Sequence, residues 1–65
     1  MRLIVNGETR ELEAATIADV IRHFGLEGKP VVAEADGAIV PKDRWADAPV
    51  RDGMRIELVH FVGGG

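Results

Sequence analysis

Apolar and polar residues along this chain change their spacing twice, from alternation to helical period and back. Met1 to Val5 is apolar except at Arg2 and ends in Asn6-Gly7. Asn-Gly suits a two-residue hairpin, because both central positions of a type I′ turn take positive φ. The more polar stretch Thr9 to Glu13, with Leu12 as its inward residue, is therefore expected to pair back as a second, antiparallel strand. Ile17, Val20, Ile21 and Phe24 then recur at i, i+3, i+4 and i+7, which is one face of a helix. Thr16 stands before that face with Asp19 three residues on, the spacing of a capping box. Gly25 follows, where a left-handed residue ends a helix.

Beyond a loop at Glu27-Gly28-Lys29-Pro30, the period returns to that of strands. Val31 to Ala35 reads as a strand, Asp36-Gly37 as a tight turn, and Ala38 to Val40 as a short strand stopped by Pro41. Lys42 to Ala48 has no clear period and has room for one 3₁₀ turn anchored by Trp45. After Pro49 and a turn at Asp52-Gly53, Met54 to Val62 forms the last and longest strand. The single helix must cover one face of the sheet, since its apolar stripe needs a partner surface. The fold class is α+β, with a mixed sheet of four to five strands. If the first strand pairs with the last, the arrangement is a β-grasp spanning residues 1–62, followed by a glycine tail at 63–65.

The last strand carries a conflict. Alternation puts Met54, Ile56 and Leu58 on the helix side and Arg55 and Glu57 on the other. The outer series then continues with Val59 and Phe61, which are apolar. Either Phe61 folds back onto the core or the register slips at a bulge, or Val59 and Phe61, joined by Ile4 on the neighbouring strand, form an exposed apolar patch of the kind that marks a docking site. His60 between them has no Ser, Cys or Asp partner at a useful spacing and is expected to be a half-buried structural residue. His23, on the polar helix face, is expected at the surface.

Length and composition narrow the chemistry. Sixty-five residues make one domain with one small core and little room for a walled active site. The net charge of −3, with charges interspersed, argues against a nucleic-acid partner. The absence of cysteine excludes a disulfide scaffold and a thiol nucleophile. No apolar run is long enough to cross a bilayer and no signal-peptide pattern appears, so no membrane partner and a cytoplasmic location are expected. No metal-ligand motif, glycine-rich nucleotide motif or P-loop occurs, so no metal, no bound cofactor and no catalytic residue are assigned.

The chain ends in Gly63-Gly64-Gly65. Such an end is either an untethered terminus or a chemical device. A terminal carboxylate is ionised at neutral pH and resists nucleophilic attack. To act as an acyl donor it must be activated, typically as an acyl-adenylate. Glycine lets the backbone approach a partner's narrow channel without the bulk of side chains. Three extended residues reach roughly 10 Å.

Several stretches together resemble the ThiS family, the ubiquitin-like sulfur-carrier proteins of thiamine biosynthesis. They are Val5-Asn6-Gly7-Glu8, the helix Thr16 to Phe24, Val40-Pro41 with Trp45, Asp52-Gly53, and the closing Val59-His60-Phe61-Val62-Gly63-Gly64-Gly65. Two positions depart from the pattern: Asp36-Gly37 stands where Asn-Gly is usual, and Met54 stands where a second Asp is common. The resemblance implies that an E1-like adenylyltransferase (ThiF type) uses Mg-ATP to adenylate Gly65. A sulfur donor charged by a cysteine desulfurase then converts it to a thiocarboxylate, and a thiazole synthase (ThiG type) takes the sulfur. Gly63 and Gly64 carry over as tail residues that enter partner active sites. The chain itself would be a co-substrate, not an enzyme. Three alternatives share some of these features: a sibling carrier for molybdopterin or cysteine synthesis, a ubiquitin-like protein modifier, and an interaction domain whose tail is idle.

Overall fold

The structure is a computed structural model and describes residues 1–61. Five strands form one mixed sheet: β1 (Arg2–Val5), β2 (Glu8–Glu11), β3 (Val31–Ala35), β4 (Ala38–Val40) and β5 (Arg55–His60), in the order β2-β1-β5-β3-β4. One helix, α1 (Ile17–His23), and a 3₁₀ segment, Lys42–Asp47, complete the elements among the described residues. β1 runs parallel to β5, with Ile4 opposite Arg55 and Val5 opposite Ile56; every other pairing is antiparallel. The first and last strands are therefore neighbours inside the sheet, and the fold is a β-grasp.

Turn chemistry makes the hairpins. Asn6 and Gly7 take φ of 50° and 82°, and Asp36 and Gly37 take 49° and 88°, as type I′ turns require. Pairing resumes at once after Gly7, with Val5 opposite Glu8, so β2 starts one residue earlier than expected and stops at Glu11. Leu12 is buried as anticipated, but it lies just past the strand, where its N–H donates to the Met1 carbonyl. Met54 likewise precedes β5: its N–H closes the Asp52-Gly53 turn onto the Arg51 carbonyl. Both sheet edges resist further pairing, β2 by its charged side chains and β4 by its three-residue length.

The helix is capped at both ends. The Asp19 N–H donates to Thr16 Oγ1, while Asp19 Oδ2 accepts from the Thr16 N–H at 3.2 Å and the Ala15 N–H at 2.8 Å. At the other end Gly25 has φ 69°, its N–H donates to the Arg22 carbonyl, and the Leu26 N–H donates to the Ile21 carbonyl. This pair of bonds is the Schellman closure. Ile17, Val20 and Ile21 are thereby pressed onto Leu3, Val5 and Ile56, and all six are buried. Trp45 closes one end of the core, its indole N–H donating to the Val40 carbonyl at 2.9 Å. Among the described residues no helix is long and apolar enough to cross a membrane.

The cap has a pH signature. The Ala15 N–H, assisted by Arg22 and Thr16, holds the Asp19 carboxyl below its ordinary value of 3.8. A depressed folded-state pKa contributes stability that is complete above the ordinary value and is lost as pH falls through the lowered one. Asp19→Asn should therefore lower the melting temperature at neutral pH, and the gap to wild type should close on acidification below the carboxylate range. A gap that stays constant with pH would show that the Asp19 charge has no part in the cap.

Candidate functional site

Alternation along β5 divides its side chains between the two faces of the sheet. Met54 and Ile56 are buried under the helix and Leu58 is half-buried beside them. Arg55, Glu57, Val59 and Phe61 are exposed on the opposite face. Val59 is 49% exposed and Phe61 54%, so neither folds onto the core. The Phe61 N–H donates to the Pro30 carbonyl at 3.0 Å, which continues the β3 pairing to the last described residue.

Two more apolar side chains share this face. Val32 lies directly opposite Val59, and Ile39, on the β4 edge, is 66% exposed. A signal for Ile39 was present in the sequence: Val40 stops at Pro41 and turns inward opposite Ala33, which leaves Ile39 facing out. Ile4 is on the same face but not in the same cluster. It sits opposite Arg55, four residues back along β5 from Val59, or roughly 13 Å at strand spacing. Glu57 stands between them, directly opposite Glu34. Like charges placed across a strand pair are unfavourable unless a cation relieves them.

His60 corrects an expectation. It is exposed rather than half-buried, because the helix ends at His23 and nothing of α1 extends over this part of β5. It borders an open groove with Asn6, Arg10 and Phe24, in which the Arg10 guanidinium lies 5.6 Å from the centre of the Phe24 ring. His23 is exposed, as expected.

The chain contains neither serine nor cysteine, and the Thr16 hydroxyl is committed to the helix cap. What the face offers is a strip of apolar side chains, Val32, Val59 and Phe61, leading to the point where the described chain ends. Gly63, Gly64 and Gly65, the residues expected to carry the chemistry, lie outside the described residues, as does the domain boundary drawn at Val62.

Comparison with known proteins decides the family. The model of the ThiS family matches residues 3–65. The chain belongs to the ThiS family. ThiS proteins are sulfur carriers of thiamine biosynthesis, so the chain is a carrier and not a catalyst. It is 40% identical over 53 residues to the sulfur carrier protein ThiS of Bacillus subtilis, covering 82% of this chain and 80% of that one. It superimposes on the crystal structure of ThiS from Geobacter metallireducens with a TM-score of 0.81 and 25% identity, over 100% of both chains. It is also 38% identical over 66 residues to a thiazole synthase of Paramagnetospirillum magneticum. That match takes in 100% of this chain but spans only 20% of the length of the synthase.

Proposed function

We propose that this ThiS chain carries sulfur as a thiocarboxylate on Gly65, loaded through an E1-like adenylating enzyme and unloaded by a thiazole synthase. The observation that supports this most is the reach of the family match, which runs through residue 65 and so includes the glycine end. One Gly65 carboxylate oxygen attacks the α-phosphorus of Mg-ATP, and pyrophosphate leaves. The persulfide of a cysteine-desulfurase-charged donor attacks the acyl carbon and AMP leaves. A thiol then cleaves the S–S bond and the thiocarboxylate remains. ATP and Mg are used by the partner, and this chain supplies the acyl carbon and the address.

The address is the outer sheet face. Val59 and Phe61 dock on an apolar surface of the adenylating enzyme, Val32 and Ile39 extend the contact, and Ile4 touches it at the far end. A basic group of the partner relieves the Glu34–Glu57 pair. Val59→Asp or Phe61→Asp should weaken binding about tenfold or more, the loss typical of a central interface residue. The melting temperature should stay within a few degrees, because substitutions at exposed sites cost about 0.5 kcal/mol or less. Unfolding of either variant would contradict this assignment.

Thiazole synthase as the recipient is supported by the Paramagnetospirillum magneticum protein, in which a segment like this chain lies within a polypeptide named for that activity. The loading step is tested by ATP–pyrophosphate exchange with the adenylating enzyme. Exchange should require this chain; exchange that is indifferent to it contradicts the proposal. Transfer of the activated Gly65 to a lysine amine would instead make the chain a protein modifier, and sulfur accepted only by a molybdopterin or cysteine synthase would make it a sibling carrier.

A further inference from the structure

β1 stops at Val5 because the hairpin turn begins there, yet β5 runs on well past the residues it faces. The contact between the two strands can be followed donor by donor. The Ile4 N–H donates to the Met54 carbonyl at 3.0 Å, and the Asn6 N–H donates to the Ile56 carbonyl at 2.9 Å. A parallel ladder of evenly spaced bonds advances two residues at a step. The next donor is due at the Leu58 carbonyl, where β1 has no residue left to provide it.

The Asn6 side chain provides it. Asn6 Nδ2 donates to the Leu58 carbonyl at 3.3 Å, and Asn6 Oδ1 accepts the Leu58 N–H at 2.8 Å. The orientation of the amide follows from Leu58, whose N–H needs an acceptor and whose carbonyl needs a donor. A side-chain amide carries the same pair of groups as a peptide unit, so Asn6 stands in for a strand residue that the turn has taken away. Turn geometry alone does not demand this. Gly or Asp would serve a positive φ in a type I′ turn, and neither brings an amide to Leu58.

The other edge of β5 is held by β3 as far as Val31 opposite His60, and by the Phe61 N–H on Pro30. Among the described residues, Asn6 makes the last tie on the β1 side. We propose that Asn6 is a positioning residue. By completing the ladder at Leu58 it holds β5 on both edges close to its end, and so sets the direction in which residues 62–65 are presented to the activating enzyme. This inference rests on the sulfur-carrier reading above. Asn6 touches no reacting atom; it acts through β5.

The test uses Asn6→Gly, which tolerates the positive φ but has no amide, and Asn6→Asp, which keeps an acceptor and loses the donor. Amide exchange on the free protein comes first. In Asn6→Gly the Leu58 N–H should exchange about tenfold faster, the loss of one modest hydrogen bond, while Val20 and Ile56 keep their protection. Asn6→Asp should fall between Asn6→Gly and wild type. Unchanged exchange at Leu58, or equal acceleration at all three amides, overturns the clamp. Adenylation kinetics come second. Asn6→Gly should lower kcat about tenfold through misalignment of the reacting end, with KM for the carrier within about twofold. A change in KM alone, or in neither constant, overturns the positioning role. A wild-type chain left unmodified by an enzyme active on a reference carrier overturns the sulfur-carrier reading and the positioning role with it. The exchange result separates these failures, because it needs no enzyme.

Discussion

Removing Gly64 and Gly65 should abolish adenylation by the E1-like enzyme and leave the domain as stable as before. The first half follows from the chemistry. Truncation moves the terminal carboxylate to Gly63 and shortens the reach of the chain by roughly 7 Å. An acyl carbon that far from the α-phosphorus has lost the alignment that makes the displacement effectively unimolecular. The second half follows from the packing. The buried core runs from Leu3 to Ile56 and is closed by α1, the 3₁₀ segment and the sheet. Among the described residues, none beyond Ile56 belongs to its buried set. The melting temperature of the truncated chain should therefore match wild type within about 3 °C, the range of a peripheral change. A fall of more than about 10 °C would show that the last residues support the fold.

The largest effect on stability is expected at Ile56. It is fully buried on the central strand, beneath Ile17, Val20 and Ile21, with Leu3 and Val5 on the adjacent strand. Ile56→Ala removes three carbons from a site framed by strands on both sides, so the cavity has little freedom to collapse. Such truncations cost about 2–5 kcal/mol. A domain of this length has roughly 3–10 kcal/mol in total, so the variant should lose between about a fifth and all of its stability. Its melting temperature should fall by at least about 10 °C. Val59→Ala, three residues along the same strand on the open face, should change stability by only about 0.5 kcal/mol. Urea denaturation of the two variants side by side checks both. Equal losses would mean that the faces of β5 are assigned wrongly.

Local chemistry explains which parts of this molecule were legible before its structure. Asn6-Gly7, Asp36-Gly37, the Thr16–Asp19 box and Gly25 each act within a few residues, and each appears where its spacing put it. The alternation Met54, Ile56, Leu58 predicts the buried face of β5, whereas the outward series leaves Val59 and Phe61 open between folding back and standing clear, and the structure has them exposed. Long-range relations were less visible. The parallel pairing of β1 with β5 joins residues about fifty positions apart, and the sequence alone offers it only as one possible strand order. The position of His60 depended on where α1 stops relative to β5, which periodicity within β5 does not contain. Alternation places Ile4 and Val59 on the same outward face, but the register of Ile4 with Arg55 separates them. In the sequence, Asn6 signals only a turn. Its second use, on Leu58, depends on β5 running past the end of β1, and that offset exists only once the strands are paired.

The division of labour in this account is simple. On the proposed reading, the outer sheet face supplies the docking strip and Gly65 supplies the reacting carbon. The most direct measurement is the mass of the intact chain after incubation with Mg-ATP, the adenylating enzyme and a charged sulfur donor, followed by fragmentation of its C-terminal peptide. The account predicts replacement of one oxygen by one sulfur, localised to Gly65. A chain whose mass does not change under an enzyme active on another carrier, or sulfur found on any other residue, would contradict it.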